Sequence, residues 1–598
     1  MKRIKIFSMI LLGSCLIAAT SCKKYLDVNN NPNAPIDATP DLILPAALAQ
    51  TAANNVVFNS YGAWVGGYQA NAGGFGGFGS ELTYNYSTAN NNGLWSSSFS
   101  NLNDYQTIIN KSDATGVYKN YNAIAKIMKA YNYLRLIDVY GDVPYSEALK
   151  GLGNLTPKYD KAEDIYKDLF VQINEAIASL ALPNNPTSTI KSLTSPNSQR
   201  IDIFGGYDAA HTTFNDASFE SDGYPNAKWT ELANTIKLKM LVRIREVASL
   251  ASTFNAEKAK LASATFITYD VKAQPGYAAQ GGKQNPAWNA YAYDANGTAS
   301  QKITIPTFYS LGYYKGEKIF DRVRGAGITV SSYTAKIFNG STVTAANQLG
   351  ITDAFVPASP NGTFWYVGSA SGTSGDALGI LKGPTASMPI FLATESYFLQ
   401  AEAALYGIIP GSDETYFYKG IESSFRYLYT KQNEAISTDH VPGISAGSDV
   451  DFYRTDDDDS ANSPIGNQYN YLVNYGLPNP NTPALVLNRN DTYNTNSTQR
   501  KLEAIITQKW IALTYIQSNE GWSDYRRTGY PVTGNQYAPA GSNVDPKYYN
   551  FASVQSVSTR PDKLPVRVLY PASEYALNPA NAPAGINAFT SRVFYDLN

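Results

Sequence analysis

Residues 121–145 read YNAIAKIMKAYNYLRLIDVYGDVPY, and their apolar side chains recur every three or four positions. This spacing is typical of a helix that buries one face. Gly141 and Pro144 then end the predicted helix, because glycine adopts the left-handed conformation at a helix end and proline cannot continue one. The residues on the predicted apolar face are Tyr121, Ile124, Met128, Tyr131, Leu134 and Ile137.

A second helix follows directly. Asp160 and Glu163 are spaced like a capping pair, and the apolar residues after them have helical spacing: Ile165, Leu169, Ile173, Ile177 and Leu180. The two helices are therefore expected to pack as an antiparallel pair. Between the helical segments, the residues around Gly205 and Gly206 predict a small hairpin at Ile201–Asp208.

The same helical spacing recurs further along the chain, at Trp229–Ile244, Leu392–Leu405, Tyr416–Leu428 and Leu502–Leu513. Recurring helix pairs indicate a solenoid-like stack, although long insertions separate the pairs and no fixed repeat period is visible. Trp229 and Trp510 fall on apolar helix faces, so we expect both to be core residues. Gly141, Gly407 and Gly529 are expected at helix ends with positive φ.

The first 38 residues have a different character. Lys2, Arg3 and Lys5 precede an apolar run from Ile6 to Ala19, and this run is too short to span a bilayer. Residues 1–21 resemble a bacterial lipoprotein signal, with Cys22 as the lipidated residue. Cys15 follows a sequence closer to the usual processing motif but would leave a very short apolar region, and ordinary secretion is the other alternative. Residues 22–38, rich in Asn and Pro, predict an extended tether.

The composition excludes several classes of protein. The net charge is −2, which provides no basic surface for nucleic acid. The only two cysteines lie in or beside the signal, so disulfide frameworks and thiolate chemistry are excluded. The length suggests two or three domains. The 45 tyrosines outnumber the 24 phenylalanines, and tyrosine suits either a polar, ring-bearing or peptide ligand or the core of an exported protein.

Several short motifs, in order along the chain, resemble the SusD/RagB family of outer-membrane nutrient-binding lipoproteins. They are Asp138–Ala148, Thr156–Asp160 with Ile165 and Tyr166, Lys228–Trp229 with Ala233–Asn234 and Lys237–Lys239, Ala401–Ala404 with Gly407 and Gly420–Ile421, Gln508–Ala512, Trp522, Asp524 and Arg526–Gly529 with Pro531, then Pro565–Arg567 and Tyr570–Pro571.

This resemblance implies a mostly α-helical protein in which tetratricopeptide-like helix pairs stack in one domain, 39–598, with long loops and small β-hairpins. It implies a surface-exposed, lipid-anchored outer-membrane protein without a cofactor, a binding protein and not an enzyme. It also implies that an oligosaccharide or peptide is delivered to a partner SusC-like TonB-dependent transporter, on which the protein acts as a lid. The alternatives are a lipid-anchored glycoside hydrolase and a structural envelope protein.

Strings that resemble catalytic or metal-binding motifs are unconvincing in their context. Gly443–Gly447 matches a nucleophile elbow, but both histidines, His211 and His440, precede it, whereas the triad of that fold needs a later one. Gly74–Gly79 matches a dinucleotide fingerprint without a strand-to-helix unit around it. Asp456–Asp459 lacks the pattern of a calcium loop, and no zinc spacing is present.

Glu395 and Glu402 are seven residues apart on one predicted helix, where a carboxylate pair for glycoside hydrolysis could lie. No second segment of the chain is marked as facing them. We therefore expect these glutamates to cap helices or to form ion pairs.

Aromatic residues among Gly, Asn and Ser are typical of loops that bind sugars or peptides. We predict ligand contacts from three such stretches and expect their aromatic side chains to face solvent. The candidates are Trp64, Tyr68, Phe75, Phe78, Tyr84, Tyr86 and Trp95 in the first stretch, Trp288, Tyr291 and Tyr293 in the second, and Trp365 in the third.

Overall fold

The computed structural model describes residues 38–182, 224–314, 346–353, 375–450, 497–535 and 545–598, together with Ile337, Trp365 and Val367. The signal segment, Cys22, most of the tether, the hairpin predicted at Ile201–Asp208 and the acidic run Asp456–Asp459 lie outside the described residues.

Helices dominate the described part of the chain. Helices α1 to α14 occupy Pro40–Val65, Ser80–Thr83, Asn92–Thr115, Lys119–Tyr140, Ala162–Leu180, Tyr224–Ile244, Ala251–Ala259, Pro286–Tyr291, Phe308–Leu311, Ala393–Leu405, Asp413–Tyr429, Thr498–Ala512, Ser518–Thr528 and Ala572–Leu577. Strands β1 to β6 occupy Gln69–Asn71, Val143–Pro144, Tyr159–Asp160, Val271–Ala273, Thr304–Pro306 and Met388–Phe391.

The helix predicted from residues 121–137 is α4. All six residues of its predicted apolar face are buried, and Gly141 ends the helix at φ +74°. Nearly the whole circumference of α4 is buried, because α3 and α5 pack on either side of it and α1 and α6 also contact it. The prediction of a single buried face was therefore too narrow.

The predicted antiparallel packing of α4 and α5 is confirmed, since Lys126, early in α4, pairs with Glu175, late in α5, at 2.7 Å. The predicted capping pair is wrong. Asp142 caps α5 instead, accepting a hydrogen bond from the backbone N of Ala162 at 2.9 Å. The physical reason is that the β2–β3 pair holds Asp160 in an extended segment, where its carboxylate accepts bonds from the turn after β2.

The other predicted helices are also present, as α6, α10, α11 and α12. Helix α10 packs most extensively on α11, its immediate successor, and also contacts α6 and α12. Gly407 and Gly529 have positive φ after the ends of α10 and α13, as predicted. The strands form three two-stranded antiparallel sheets, of which β1–β5 and β4–β6 join distant segments and are therefore not hairpins.

Within the described part of the chain, a cluster of buried hydrophobic side chains extends from Leu44 to Tyr595. Trp229 and Trp510 belong to it, as predicted. Trp510 stacks on Tyr68 with a centroid separation of 4.1 Å and an interplanar angle of 9°. Among the described helices, none is long and apolar enough to cross a membrane.

A network of ion pairs lies inside this core, where α4, α6, α10 and α13 meet. The ammonium of Lys239 contacts Glu395 at 2.8 Å and Glu520 at 2.7 Å. The guanidinium of Arg243 contacts Glu520 at 2.8 Å and also pairs with Asp138. All five side chains are almost fully buried.

The network continues along α12 and α13. Asp524 accepts contacts from Lys509 at 2.9 Å and from Arg527 at 3.0 Å, and Arg527 forms a two-point contact with Glu402 at 2.5 and 2.8 Å. Burial by itself would raise the pKa of Asp524, but Lys509 and Arg527 outweigh it and hold that pKa well below its usual value. We call these charged side chains the buried ion network. Its members are Asp138, Lys239, Arg243, Glu395, Glu402, Lys509, Glu520, Asp524 and Arg527.

Candidate functional site

Two loops leave the same end of the β1–β5 sheet. In this antiparallel pair Asn71 lies opposite Thr304, so the loop after β1 and the hairpin before β5 start side by side. The backbone N of Ala72 donates to the carbonyl of Ile303 at 2.8 Å, which ties the two starts together. The hairpin itself is closed by a bridge between Tyr293 and Ala299.

A third segment, residues 346–353, is attached to this end by two asparagines. The side-chain amide of Asn347 donates to the carbonyl of Asn71 at 2.9 Å, and that of Asn71 donates to the carbonyl of Ile351 at 2.8 Å. The backbone N of Gly74 donates a hydrogen bond to the carbonyl of Thr352 at 3.1 Å. Three loops therefore converge on one surface, which we call the loop face.

The loop after β1 contains the glycine loop, Gly74–Gly79. Gly74, Gly77 and Gly79 have positive φ, which glycine adopts without steric cost. A Cβ atom added at any glycine of this loop would meet nothing within 4 Å. The glycines therefore extend into open space, where a ligand can approach the backbone closely.

Three of the predicted ligand-binding aromatics are half-buried at or beside this face: Trp64, Phe75 and Tyr293. Phe75 lies within the glycine loop, and Tyr293 starts the neighbouring hairpin. Trp64, in the last turn of α1, packs edge to face on Phe78 of the glycine loop with a centroid separation of 5.7 Å. Glu81 lies just beyond the loop, and partial burial raises the pKa of its carboxyl group.

The expectation of solvent-facing rings is wrong for the other eight candidates, which are buried: Tyr68, Phe78, Tyr84, Tyr86, Trp95, Trp288, Tyr291 and Trp365. Most of these side chains carry a hydroxyl or indole N–H group, and several of these groups form hydrogen bonds within the protein. Tyr68 donates to the carbonyl of Trp510 at 3.1 Å, and Trp95 donates to Glu574 at 3.1 Å. The alternative use of tyrosine, as core of an exported protein, thus applies to much of this set.

The two carboxylates considered for glycoside hydrolysis are held in ion pairs, as expected. Glu395 binds Lys239 and Glu402 binds Arg527, and both glutamates are 1% exposed. Gly443–Gly447 lies in an irregular segment. Gly74–Gly79 follows a three-residue strand of an antiparallel pair, which is not the parallel unit of a dinucleotide site.

Among the described side chains, no group of three or more His, Cys, Asp or Glu residues is arranged to hold a metal ion. Sequence reasoning missed Asn71 and Asn347, which join the three loops. Asparagine is frequent in loops of any function, so these two carried no signal that would have distinguished them.

Two family models match the chain. One, described as "Starch-binding associating with outer membrane", matches residues 32–192, and the other, described as "Susd and RagB outer membrane lipoprotein", matches residues 382–591. Together they cover more than half of the chain. The protein therefore belongs to the SusD/RagB family of outer-membrane lipoproteins. No curated protein matches it.

Solved structures show the same fold. A chitin-binding SusD homologue from Flavobacterium johnsoniae is 20% identical, with 93% of this chain and 99% of that chain covered and a TM-score of 0.58. A SusD/RagB family protein from Bacteroides thetaiotaomicron is 17% identical, with 94% and 100% covered and a TM-score of 0.59. The prediction of a mostly helical, tetratricopeptide-like fold is confirmed.

Proposed function

We propose that this protein captures an oligosaccharide on the loop face and delivers it to a TonB-dependent outer-membrane transporter, which it covers as a lid. The observation that carries the proposal is the presence of two half-buried aromatic rings, Phe75 and Tyr293, on loops that leave the same end of one sheet. Family membership supports the location at the outer membrane, and the chitin-binding SusD homologue supports the ligand class.

The physical argument concerns the two faces of a sugar. Its C–H groups form an apolar face that packs on an aromatic ring, while its hydroxyl groups need polar partners at the edge of the site. Phe75 and Tyr293 provide ring surface, and the exposed backbone around Gly76 and Gly77 provides donors and acceptors without a side chain in the way. An extended peptide with apolar side chains would use the same rings, so a ligand panel must include both classes.

The proposed chain organisation follows from the sequence. Residues 1–21 are removed as a signal, Cys22 carries the lipid, and residues 22–38 connect the anchor to the binding domain, 39–598. Replacing Cys22 by Ser is then expected to release a folded protein from the membrane with an unchanged melting temperature, because a polar segment rich in Asn and Pro is not expected to add packing to the core. Misfolding of this variant would instead indicate that the N-terminal segment is part of the folded domain.

The loop face is tested by isothermal titration of the purified protein with neutral oligosaccharides, including chitin oligomers, and with short peptides. Phe75→Ala and Tyr293→Ala are each expected to weaken binding by about 1 to 3 kcal/mol, the scale of losing an aromatic anchor. The matched control is Phe254→Ala, which removes another half-buried ring, from α7. Equal losses in all three variants, or binding of peptides alone, would refute an oligosaccharide site on the loop face.

The partnership with a transporter is a separate test. After mild detergent extraction, the lipidated protein is expected to co-purify with a TonB-dependent transporter of the same membrane. Recovery of the protein without any transporter would refute its role as a transporter lid. The proposal would then be reduced to a membrane-anchored binding protein.

A further inference from the structure

A polar cleft of about 730 Å³ lies away from the loop face, between helices α3, α4 and α5 and the segment after β2. Its volume is within the range of about 300–1,000 Å³ for small-molecule sites. The loop-face site does not account for it. Its walls combine one tyrosine ring, Tyr145, with the side-chain amides of Gln106, Asn110 and Gln172 and with several charged groups.

The carboxylates that line the cleft already have partners. Asp160 accepts two backbone N–H bonds and the hydroxyl of Ser146, and Asp168 accepts the hydroxyl of Tyr145. Asp113 accepts the amide of Asn122 at 2.9 Å, and Asp164 pairs with Lys167 at 2.8 Å.

The ammonium groups of the cleft differ from one another. Lys126 is neutralised by Glu175 at 2.7 Å. Lys129 has no carboxylate at ion-pair distance among the described residues; it donates one hydrogen bond, to the amide oxygen of Gln106 at 2.6 Å, and lies 5.5 Å from the ring centroid of Tyr145. An ammonium group has three donors, so Lys129 retains capacity for an acceptor that enters the cleft.

The surroundings of Lys129 weaken its hold on its proton. Burial, and to a smaller extent the ammonium of Lys126, lower the pKa of Lys129 to about 8, while the carboxylate of Asp168 acts in the opposite direction. The other charged residues that line the cleft are Lys126 on its own helix, Asp113 on α3, Asp164 and Asp168 on α5, Asp160 on β3, and Lys150 on the segment after β2. A bound anion would replace part of the solvation that burial removed.

We propose that this cleft is a second ligand site that takes an acidic saccharide, with a uronic-acid carboxylate on the ammonium of Lys129 and the sugar ring against Tyr145. The amide of Gln106 donates to the amide oxygen of Asn110 at 2.7 Å, and the remaining donors and acceptors of these two amides and of Gln172 supply partners for hydroxyl groups. The surrounding carboxylates repel an anion. A small free anion has only the contact with Lys129 to offset this repulsion, whereas an acidic sugar also gains contacts with the ring and the amides. The site is separate from the loop face and uses none of its residues.

The test is isothermal titration with trigalacturonate and with its carboxyl-reduced, neutral counterpart at pH 7. Trigalacturonate is expected to bind the unmodified protein, and Lys129→Met should weaken binding roughly 10- to 100-fold, the scale of one hydrogen bond to a charged group. The neutral counterpart should bind about as weakly as trigalacturonate binds Lys129→Met. The matched control, Lys126→Met, removes an ammonium group already paired with Glu175 and should change affinity less than about threefold.

A pH series supplies an independent readout. Affinity for trigalacturonate should fall between pH 7 and pH 9 as Lys129 loses its proton, and Lys129→Met should show no such fall. Thermal melts establish that each variant is folded. Three outcomes would overturn the proposal: equal affinity for the acidic and neutral trisaccharides, equal loss in both lysine variants, or preferential binding of a peptide through its free C-terminal carboxylate. Phe75 does not line the cleft, so Phe75→Ala should leave trigalacturonate binding unchanged. Failure of the loop-face proposal can therefore be told apart from failure of the cleft proposal.

Discussion

The buried ion network and the glycine loop are built on opposite principles. In the network, charged side chains from five helices are buried, and each has one or more ion-pair partners. In the glycine loop, an added Cβ atom would meet nothing within 4 Å. The comparison indicates a rigid helical frame that carries an adaptable surface, which is the usual division between scaffold and binding loops.

The largest expected effect comes from breaking the frame. Arg243→Met leaves Asp138 and Glu520 buried without their guanidinium partner, so we expect a loss of about 3 to 5 kcal/mol in the free energy of unfolding. The matched control is Lys167→Met, which removes a solvent-exposed ion pair with Asp164 and should cost less than about 0.5 kcal/mol. Urea denaturation measures both. Similar values for the two variants would mean that the buried network does not stabilise the frame.

A second test concerns Glu503, a buried carboxylate on α12. Burial raises the pKa of Glu503 to about 8, and Arg500, 3.7 Å away, only partly opposes this. Between the unfolded pKa and pH 8, the native state therefore holds a proton that the unfolded state has released, and stability falls as pH rises.

Glu503→Gln should remove this dependence, because glutamine has nearly the shape of the protonated acid and does not titrate. We expect the variant to match the unmodified protein near pH 4.5 and to exceed it by about 2 to 4 kcal/mol at pH 8. Thermal or urea melts across this range provide the measurement. Parallel pH profiles for the two proteins would contradict the assignment.

The third test compares a glycine of the helical frame with a glycine of the glycine loop. A Cβ atom at Gly62, on α1, would lie 2.2 Å from the backbone N of Asn519, and backbone cannot move aside cheaply. Gly62→Ala should therefore cost about 2 to 3 kcal/mol. Gly76→Ala meets open space at a φ that alanine accepts, and should be neutral or stabilise by up to about 1 kcal/mol. Comparable destabilisation by both would show that the glycine loop is packed.

Much of the frame could be predicted from the sequence. The apolar spacing of residues 121–137 located α4, and Gly141 and Gly529 marked helix ends, because helix periodicity and termination depend on residues only a few positions apart. The ion pairing of Glu402 was also expected from its residue type. The cap of α5 was missed because the β2–β3 pair determines which aspartate reaches the helix end.

The candidate site could be predicted only in part. The sequence by itself determined that aromatic residues cluster among glycines near Gly74–Gly79, and its apolar spacing located helices α4, α5, α6, α10, α11 and α12 but not α1, α3 or α13. Only the tertiary structure decided that Phe75 remains half-exposed while Tyr68 is buried, because Tyr68 meets Trp510, a residue 442 positions away. Tyrosine and tryptophan are compatible with either environment, so their exposure depends on distant packing partners, and so does the convergence of the three loops through Asn71 and Asn347.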